Sequence, residues 1–191
     1  MSKRKRRRIL VITGVPGTGK TTFSDSLAKR LKHTDVIHVT DVVDRERLFS
    51  SRTREGAKIV KMRELRLELE RMIARSKGDA VLLESHLMCD IAIKGASALV
   101  LREHLDTLIK RMEQRGYPRA KIKANVVSEA TDYCGIHAER NYPNVFEAFS
   151  RDRKLAGYAA ALLNGKRLKG RRIDLIPEFD TLLRRRKELA I

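Results

Sequence analysis

The run Gly14-Val15-Pro16-Gly17-Thr18-Gly19-Lys20-Thr21-Thr22 meets the spacing G-x-x-x-x-G-K-[ST] at every fixed position. Gly17 and Gly19 carry no Cβ, so the backbone there can curl around an anion and aim successive N–H groups at it. The Lys20 ammonium would neutralise β and γ phosphates, and the Thr21 hydroxyl would ligate the magnesium ion that bridges them. Pro16 stiffens the loop without removing a central donor. The expected ligand is a nucleoside triphosphate, ATP, with Mg2+. A second candidate group, Glu84-Ser85-His86, directly follows the apolar run Ala80–Leu83. A carboxylate at that place can hold a metal-bound water, and His86 could touch phosphates or position a water. Taken alone, a strand-end Glu-x-His is structural by default; beside a phosphate loop it reads as functional. His33, His104 and His137 sit in polar surroundings and read as surface residues.

Such groups must be carried on a strand, a loop and a helix in that order. The apolar run Ile9–Thr13 reads as a buried strand before the loop, and Phe23, Leu27, Ala28 and Leu31 recur at helical spacing after it. Further strands are expected at Val36–Val39, Ala80–Leu83, Ala98–Leu101 and Val145–Ala148, with helical patterns between them. That alternation predicts an α/β fold, a three-layer P-loop NTPase architecture with a five-stranded parallel sheet and ligand sites at the carboxyl ends of the strands. Between the second and third strands, Leu65, Leu69, Met72 and Ile73 share one face of a long polar helical stretch expected from Val42 to Arg75. Asp41, just past the second strand, is expected to face the site. Leu105, Leu108, Ile109 and Met112 form a helical stripe that Arg115-Gly116 ends. A break at Gly116-Tyr117-Pro118 and a second, basic helix then resemble a small lid.

At 191 residues the chain suits one well-buried α/β domain. Its net charge of +18 is concentrated in Lys3–Arg8, Lys166–Arg172 and Arg184–Lys187. Any single run of this kind is often a solvated tail, but three together favour polyanion binding, to RNA or the ribosome. With 5% aromatic residues and no tryptophan, base stacking cannot dominate such contact. Cys89 and Cys134 lie far apart without C-x-x-C spacing, so neither a disulfide framework nor a zinc site is indicated. A reduced cytoplasmic location is expected, a nuclear address being the weaker reading of the basic start. No stretch approaches a transmembrane helix, so no membrane partner is expected.

The phosphate loop, Glu84-Ser85-His86, and above all Leu99-Val100-Leu101-Arg102 followed by Arg115-Gly116-Tyr117, Lys121-Ile122, Asn125-Val126 and Glu129 resemble the adenylate kinase isoenzyme 6 family. The resemblance covers about residues 9 to 160. It implies a nucleoside monophosphate kinase that transfers the γ-phosphoryl of MgATP to AMP, with ATPase activity. It also implies a role in small ribosomal subunit maturation, with a platform ribosomal protein and rRNA as partners. The implied organisation is a basic arm over 1–8, a kinase domain over 9–165 and a basic extension over 166–191. Within the kinase domain, the monophosphate-binding region would span about 38–61 and the lid about 114–124. By resemblance, Gly17, Gly19, Lys20, Thr21 and Thr22 match ATP-phosphate residues, Arg115 the lid arginine that contacts ATP, and Arg153 a basic residue near the adenine. Asp41 and Arg45 fall in the monophosphate-binding region, Thr21 and Glu84 at the magnesium site, and His86 on the histidine that follows it. Lys20, Arg102, Arg111 and Arg115 are the candidates for neutralising charge during transfer. The chain departs from the pattern at Asp44, where a basic residue is frequent, at Glu84, where aspartate is frequent, and beyond residue 165. Two alternatives stand beside the kinase: an ATP-driven ribosome assembly factor and a nucleotide-gated RNA-binding module.

Overall fold

The computed structural model describes residues 7–53, 58–170 and 172–185. Five parallel strands build the central sheet: β1 (Arg8–Thr13), β2 (Thr34–His38), and three more at Ala80–Glu84, Ser97–Arg102 and Val145–Phe149. A small antiparallel hairpin intervenes, β3 (Phe49–Arg52) with β4 (Lys58–Val60), so the later sheet strands are β5, β6 and β7 in chain order. The spatial order is β2-β5-β1-β6-β7. From central β1 the chain winds first to one side and later to the other, which opens a crevice at the carboxyl ends of β1 and β5.

Alternation along the strands explains both layers. Val11, Val81, Leu83, Ala98 and Val100 point into one core, and Leu10, Ile12, Leu82, Leu99 and Leu101 into the other. The second core is covered by α1 (Lys20–Arg30) and by a helix over Leu155–Leu163, which contribute Leu27, Leu155, Ala159 and Leu162. The first receives α2 (Val39–Arg45), α3 (Met62–Arg75), α4 (Leu105–Gln114), α5 (Arg119–Ala130) and α6 (Tyr133–Asn141); the Leu155–Leu163 helix is thus α7. Each fully buried leucine contributes about 1.5–3 kcal/mol.

All five expected sheet strands are present. The long helix expected from Val42 to Arg75 is not: α2 ends at Arg45, the β3–β4 hairpin follows, and α3 begins at Met62. The hairpin escaped a pattern search because it is short, polar and irregular, with a register shift between Phe49 and Ser51. The stripe Leu105, Leu108, Ile109, Met112 is buried as expected. Gly116, at φ 68°, takes the left-handed conformation just past α4, with Gly116 N–H donating to Glu113 and Tyr117 N–H to Met112. This pair of bonds caps the α4 carbonyls and turns the chain toward α5.

The first and last described segments are built into the domain. Arg8 already belongs to β1, and Arg7 donates to the carbonyls of Ile73 and Ser76 at the end of α3. The expected basic arm otherwise lies outside the described residues. After α7 the chain passes beside β7, where Asn144 Nδ2 donates to the Lys166 carbonyl at 3.0 Å. It ends in α8 (Ile176–Arg185), which buries Leu182 beside the buried Leu175. Glu178 accepts from Leu105 N–H at 2.6 Å and so caps the start of α4.

Candidate active site

β1 delivers the phosphate loop to the carboxyl edge of the sheet. Gly14 has φ 136°, and a Cβ there would lie 2.3 Å from the Leu101 carbonyl oxygen, so only glycine lets the loop leave β1 against β6. Gly19 (φ 91°) is the N-cap of α1 and offers no side-chain cap, which leaves the first N–H groups of the helix directed at the cleft. Lys20 is nearly buried, and its ammonium donates to the Val15 carbonyl at 3.0 Å. Burial, only partly offset by Glu84, holds its pKa below the usual lysine range. A cation held in this way gains from any anion that enters.

Strand β5 pairs with β1 so that Glu84 lies opposite Ile12, one residue short of the loop's strand end. Its Oε2 accepts from Thr21 Oγ1 at 3.1 Å. Two hard oxygen donors on one side of a phosphate cradle suit Mg2+, which takes one or two protein oxygens and completes its shell with water and phosphate. The donor set therefore fits the metal. Ser85 caps the 3-10 turn His86–Cys89 by accepting from Leu87 N–H at 3.2 Å, and this turn presents His86 to the cleft. The His86 ring is open to the cleft, yet shielding by its walls, then the cations Lys20 and Lys121, push its pKa down to about 4 against the pull of Asp90. It is neutral at pH 7 and available as a hydrogen-bond partner.

A cleft of about 480 Å³ runs over the loop and is lined by Gly17, Gly19, Lys20, Thr21 and Thr22. Glu84, His86 and Arg115 complete this part of its wall. These sequence-expected residues therefore converge. A second, shallower depression continues past Gly19 and Thr22 toward Arg111, Arg115, Ser150 and Arg151, and Arg153 lines the neighbouring groove beyond it. Four expected residues stand elsewhere or act differently. Arg102 is 1% exposed and does not reach the cleft; it bonds Glu129 at 3.1 Å, Asp132 at 2.7 Å and Glu147 at 2.6 Å. Its position at the end of β6 puts it under α5 and α6, where carboxylates enclose it. Arg111 donates to the Gly17 carbonyl at 2.8 Å and pairs with buried Glu103 at 2.7 Å, bracing the loop from behind. Asp41 and Arg45 lie on the exposed face of α2, Arg45 against Glu46, because Val39, Val42 and Val43 claim the inward face.

Sequence reasoning gave no site role to the individual residues of the opposite wall, most of which fall within the stretches 38–61 and 114–124 that the resemblance implied. Thr40, Arg52, Lys58 and Val60 line it from α2 and the hairpin, and Tyr117, Lys121 and Asn125 from the lid turn and α5. Lys58 pairs with Asp44, and Lys121 Nζ lies 4.2 Å over the Tyr117 ring. His38, also missed, bonds Glu84 through Nδ1 at 3.1 Å and Asp25 through Nε2 at 3.2 Å. Burial lowers its pKa, but these carboxylates outweigh that and raise it overall. The two cysteines, distant in sequence, are both buried, and the proximity of Cys134, together with burial, pushes the Cys89 thiol pKa up.

Residues 10–132 match the model of a family described as an AAA domain. A protein of Methanosarcina barkeri named "Putative adenylate kinase" is 34% identical over 140 residues, covering 73% of this chain and 75% of its own. Its namesake in Pyrococcus furiosus is 32% identical, with 73% of each chain covered. Among solved structures, shikimate kinase from Acinetobacter baumannii, in complex with shikimate, superposes with a TM-score of 0.55 at 15% identity, over 86% of this chain and 97% of that one. The tunicamycin resistance protein of Deinococcus radiodurans gives 0.52 at 17% identity, over 87% and 100%. At such identities the structural matches speak for the fold alone. With its phosphate loop, parallel sheet and adenylate kinase-like relatives, the chain belongs to the nucleoside monophosphate kinase family of P-loop kinases.

Proposed function

We propose that the protein transfers the γ-phosphoryl of MgATP to AMP, giving two ADP. The observation that carries this reading is the two-sided cleft, with a phosphate loop on one wall and the cations Arg52 and Lys58 on the other. A donor triphosphate and an anionic acceptor each need such a wall. Relatives named as adenylate kinases support AMP as the acceptor. In this reading the loop N–H groups and Lys20 bind the β and γ phosphates, Thr21 and Glu84 hold the Mg2+, and Arg115 closes from the lid onto the transferring group. Bound Mg2+ supplies charge neutralisation between the phosphates. Arg111 keeps Gly17 in place, and Arg153 edges the groove toward the adenine. Positioning and charge do the work, since phosphoryl transfer asks little covalent help of the protein.

Neutral His86, beside Lys20, favours a second activity of the same site, in which it orients a water and ATP is hydrolysed when no acceptor is bound. The net charge of +18 favours rRNA and a ribosomal protein as further partners, in small-subunit maturation. One assay separates these reactions: ATP turnover with and without AMP, with ADP and free phosphate followed separately. Two ADP per ATP consumed, dependent on AMP, is the expected result. Free phosphate without AMP dependence would replace the kinase reading with that of an ATPase.

A further inference from the structure

Glu84 is a long side chain, and a flexible carboxylate serves poorly as a fixed anchor unless something holds it. Two donors meet on its Oε2: Thr21 Oγ1 from α1 at 3.1 Å and His38 Nδ1 from the end of β2 at 3.1 Å. Among the described residues its other oxygen, Oε1, accepts no hydrogen bond. His38 stands directly opposite Glu84 in the β2–β5 register, so its ring reaches the carboxylate without either backbone leaving the sheet. The far ring nitrogen, Nε2, meets Asp25 Oδ1 at 3.2 Å. Asp25 follows Thr21 by four residues on α1, one helical turn along the same face. The four side chains thus form a closed loop from α1 to β5 to β2 and back to α1. An imidazole facing a carboxylate at each nitrogen is held in one orientation, the device by which outer groups fix a metal ligand.

We propose that His38 is a positioning residue for the metal side of the site: clamped by Asp25, it holds Glu84 Oε2 beside Thr21 and leaves Oε1 to serve Mg2+ or a water bound to it. The proposal rests on the reading of the cleft as a MgATP site. His38 itself touches neither nucleotide nor metal. Its loss acts through the freedom it returns to Glu84, so the affected quantity is the advantage that Mg2+ gives to nucleotide binding.

The test measures ATP affinity by calorimetry in Mg2+ and in EDTA, and takes the ratio of the two. His38→Ala is expected to lower that ratio about tenfold, the lower end of what loss of a supporting group costs a metal site. Asp25→Asn, at a half-exposed position that tolerates exchange, should lower it less and in the same direction. His38→Gln, which keeps one donor for Glu84, should recover part of the loss. In a Glu84→Gln background, adding His38→Ala should change the ratio no further, a result that general loosening of the fold would not produce. An unchanged ratio in both His38→Ala and Asp25→Asn overturns the proposal, as does a drop of the same size in the Glu84→Gln background. If His38→Ala does not fold, the Asp25→Asn and His38→Gln ratios decide alone. A wild-type protein that binds ATP no better with Mg2+ than without it overturns the underlying reading, and the proposal with it.

Discussion

Among the described residues along the cleft, five cations, Lys20, Arg52, Lys58, Arg115 and Lys121, face the one carboxylate Glu84. At the end of β6 the proportions reverse, and three carboxylates, Glu129, Asp132 and Glu147, enclose the buried guanidinium of Arg102, with exposed Arg172 beside them. Each region keeps some charge from water, Lys20 in the first and Arg102 with its acids in the second, and burial works against it, lowering the Lys20 pKa and raising those of the three acids. They differ in what answers that cost. Arg102 also donates to the Glu129 and Ile173 carbonyls, so its hydrogen-bonding capacity is spent inside the fold. Lys20 has the Val15 carbonyl and leaves the rest to a guest. Buried charge that is fully partnered is architecture, whereas buried charge awaiting an anion is a site.

The largest expected effect breaks the first region's twin. Arg102→Ala leaves three acids without the buried cation they ion-pair with and should cost about 3–5 kcal/mol, read as a drop in unfolding midpoint of roughly 10 °C for a chain of this size. A small change would mean that the cluster does not hold the fold. Next, Lys20→Met should lower kcat/KM about a hundredfold to a thousandfold, while thermal stability holds or rises, because a cation that burial disfavours has been removed. Lost stability together with lost activity would erase the contrast between the regions. Arg115→Ala should lower kcat by about tenfold to a hundredfold, with less effect on KM for ATP, because a lid contact strengthens in the transition state. A change confined to KM would assign Arg115 to ground-state binding.

The smallest effect sharpens the comparison through pH. Asp132 and Glu147 are both raised above the ordinary carboxylate pKa, chiefly by burial. Such groups favour the fold fully below the ordinary value and penalise it as pH climbs through the raised native ones. Asp132 Oδ2 is buried without a hydrogen-bond partner, and the residue sits at φ 55°, where asparagine is well accommodated. Asp132→Asn should therefore gain on the wild type by on the order of 1 kcal/mol as pH rises from about 4 to 8, measured by urea unfolding across that range. A difference independent of pH would show that the acids are not in tension. Gly135 belongs to the same picture, since a Cβ there would lie 2.2 Å from Asp132 Oδ1 and 2.7 Å from Glu147 Oε1.

The elements that carry chemistry were legible because each rests on local signals. Ile9–Thr13 with Gly14–Thr22 announces strand, loop and helix, and the Leu105–Met112 stripe with Gly116 announces the helix and its end. What stayed hidden depends on pairing across the sheet. No spacing links His38 to Glu84, 46 residues apart, until the β2–β5 register sets them side by side. Arg102 follows an apolar strand as Glu84 does, and only the presence of Glu129, Asp132 and Glu147 tells it apart. Cys89 and Cys134 looked unrelated for the same reason. The Phe49–Val60 hairpin was lost differently, since its polar strands have neither the alternation nor the length that a period search needs.

The segment after α7 runs along an outermost strand of the sheet. Strand β7 ends the sheet, and an uncovered outermost strand offers a row of unpaired backbone groups to any similar strand nearby. Here the return path, described over residues 166–170 and 172–173, lies on that flank: Gly170 sits so close to Phe146 that a Cβ would fall 2.6 Å from the ring, and Ile173 N–H is taken by Glu147 at 3.2 Å. Exposed Lys166, Arg167 and Lys169 stud the same path. The stretch that adds so much to the chain's basicity therefore also lays positive charge along the flank of an outermost strand, the kind of charge by which sheet edges discourage pairing with another chain.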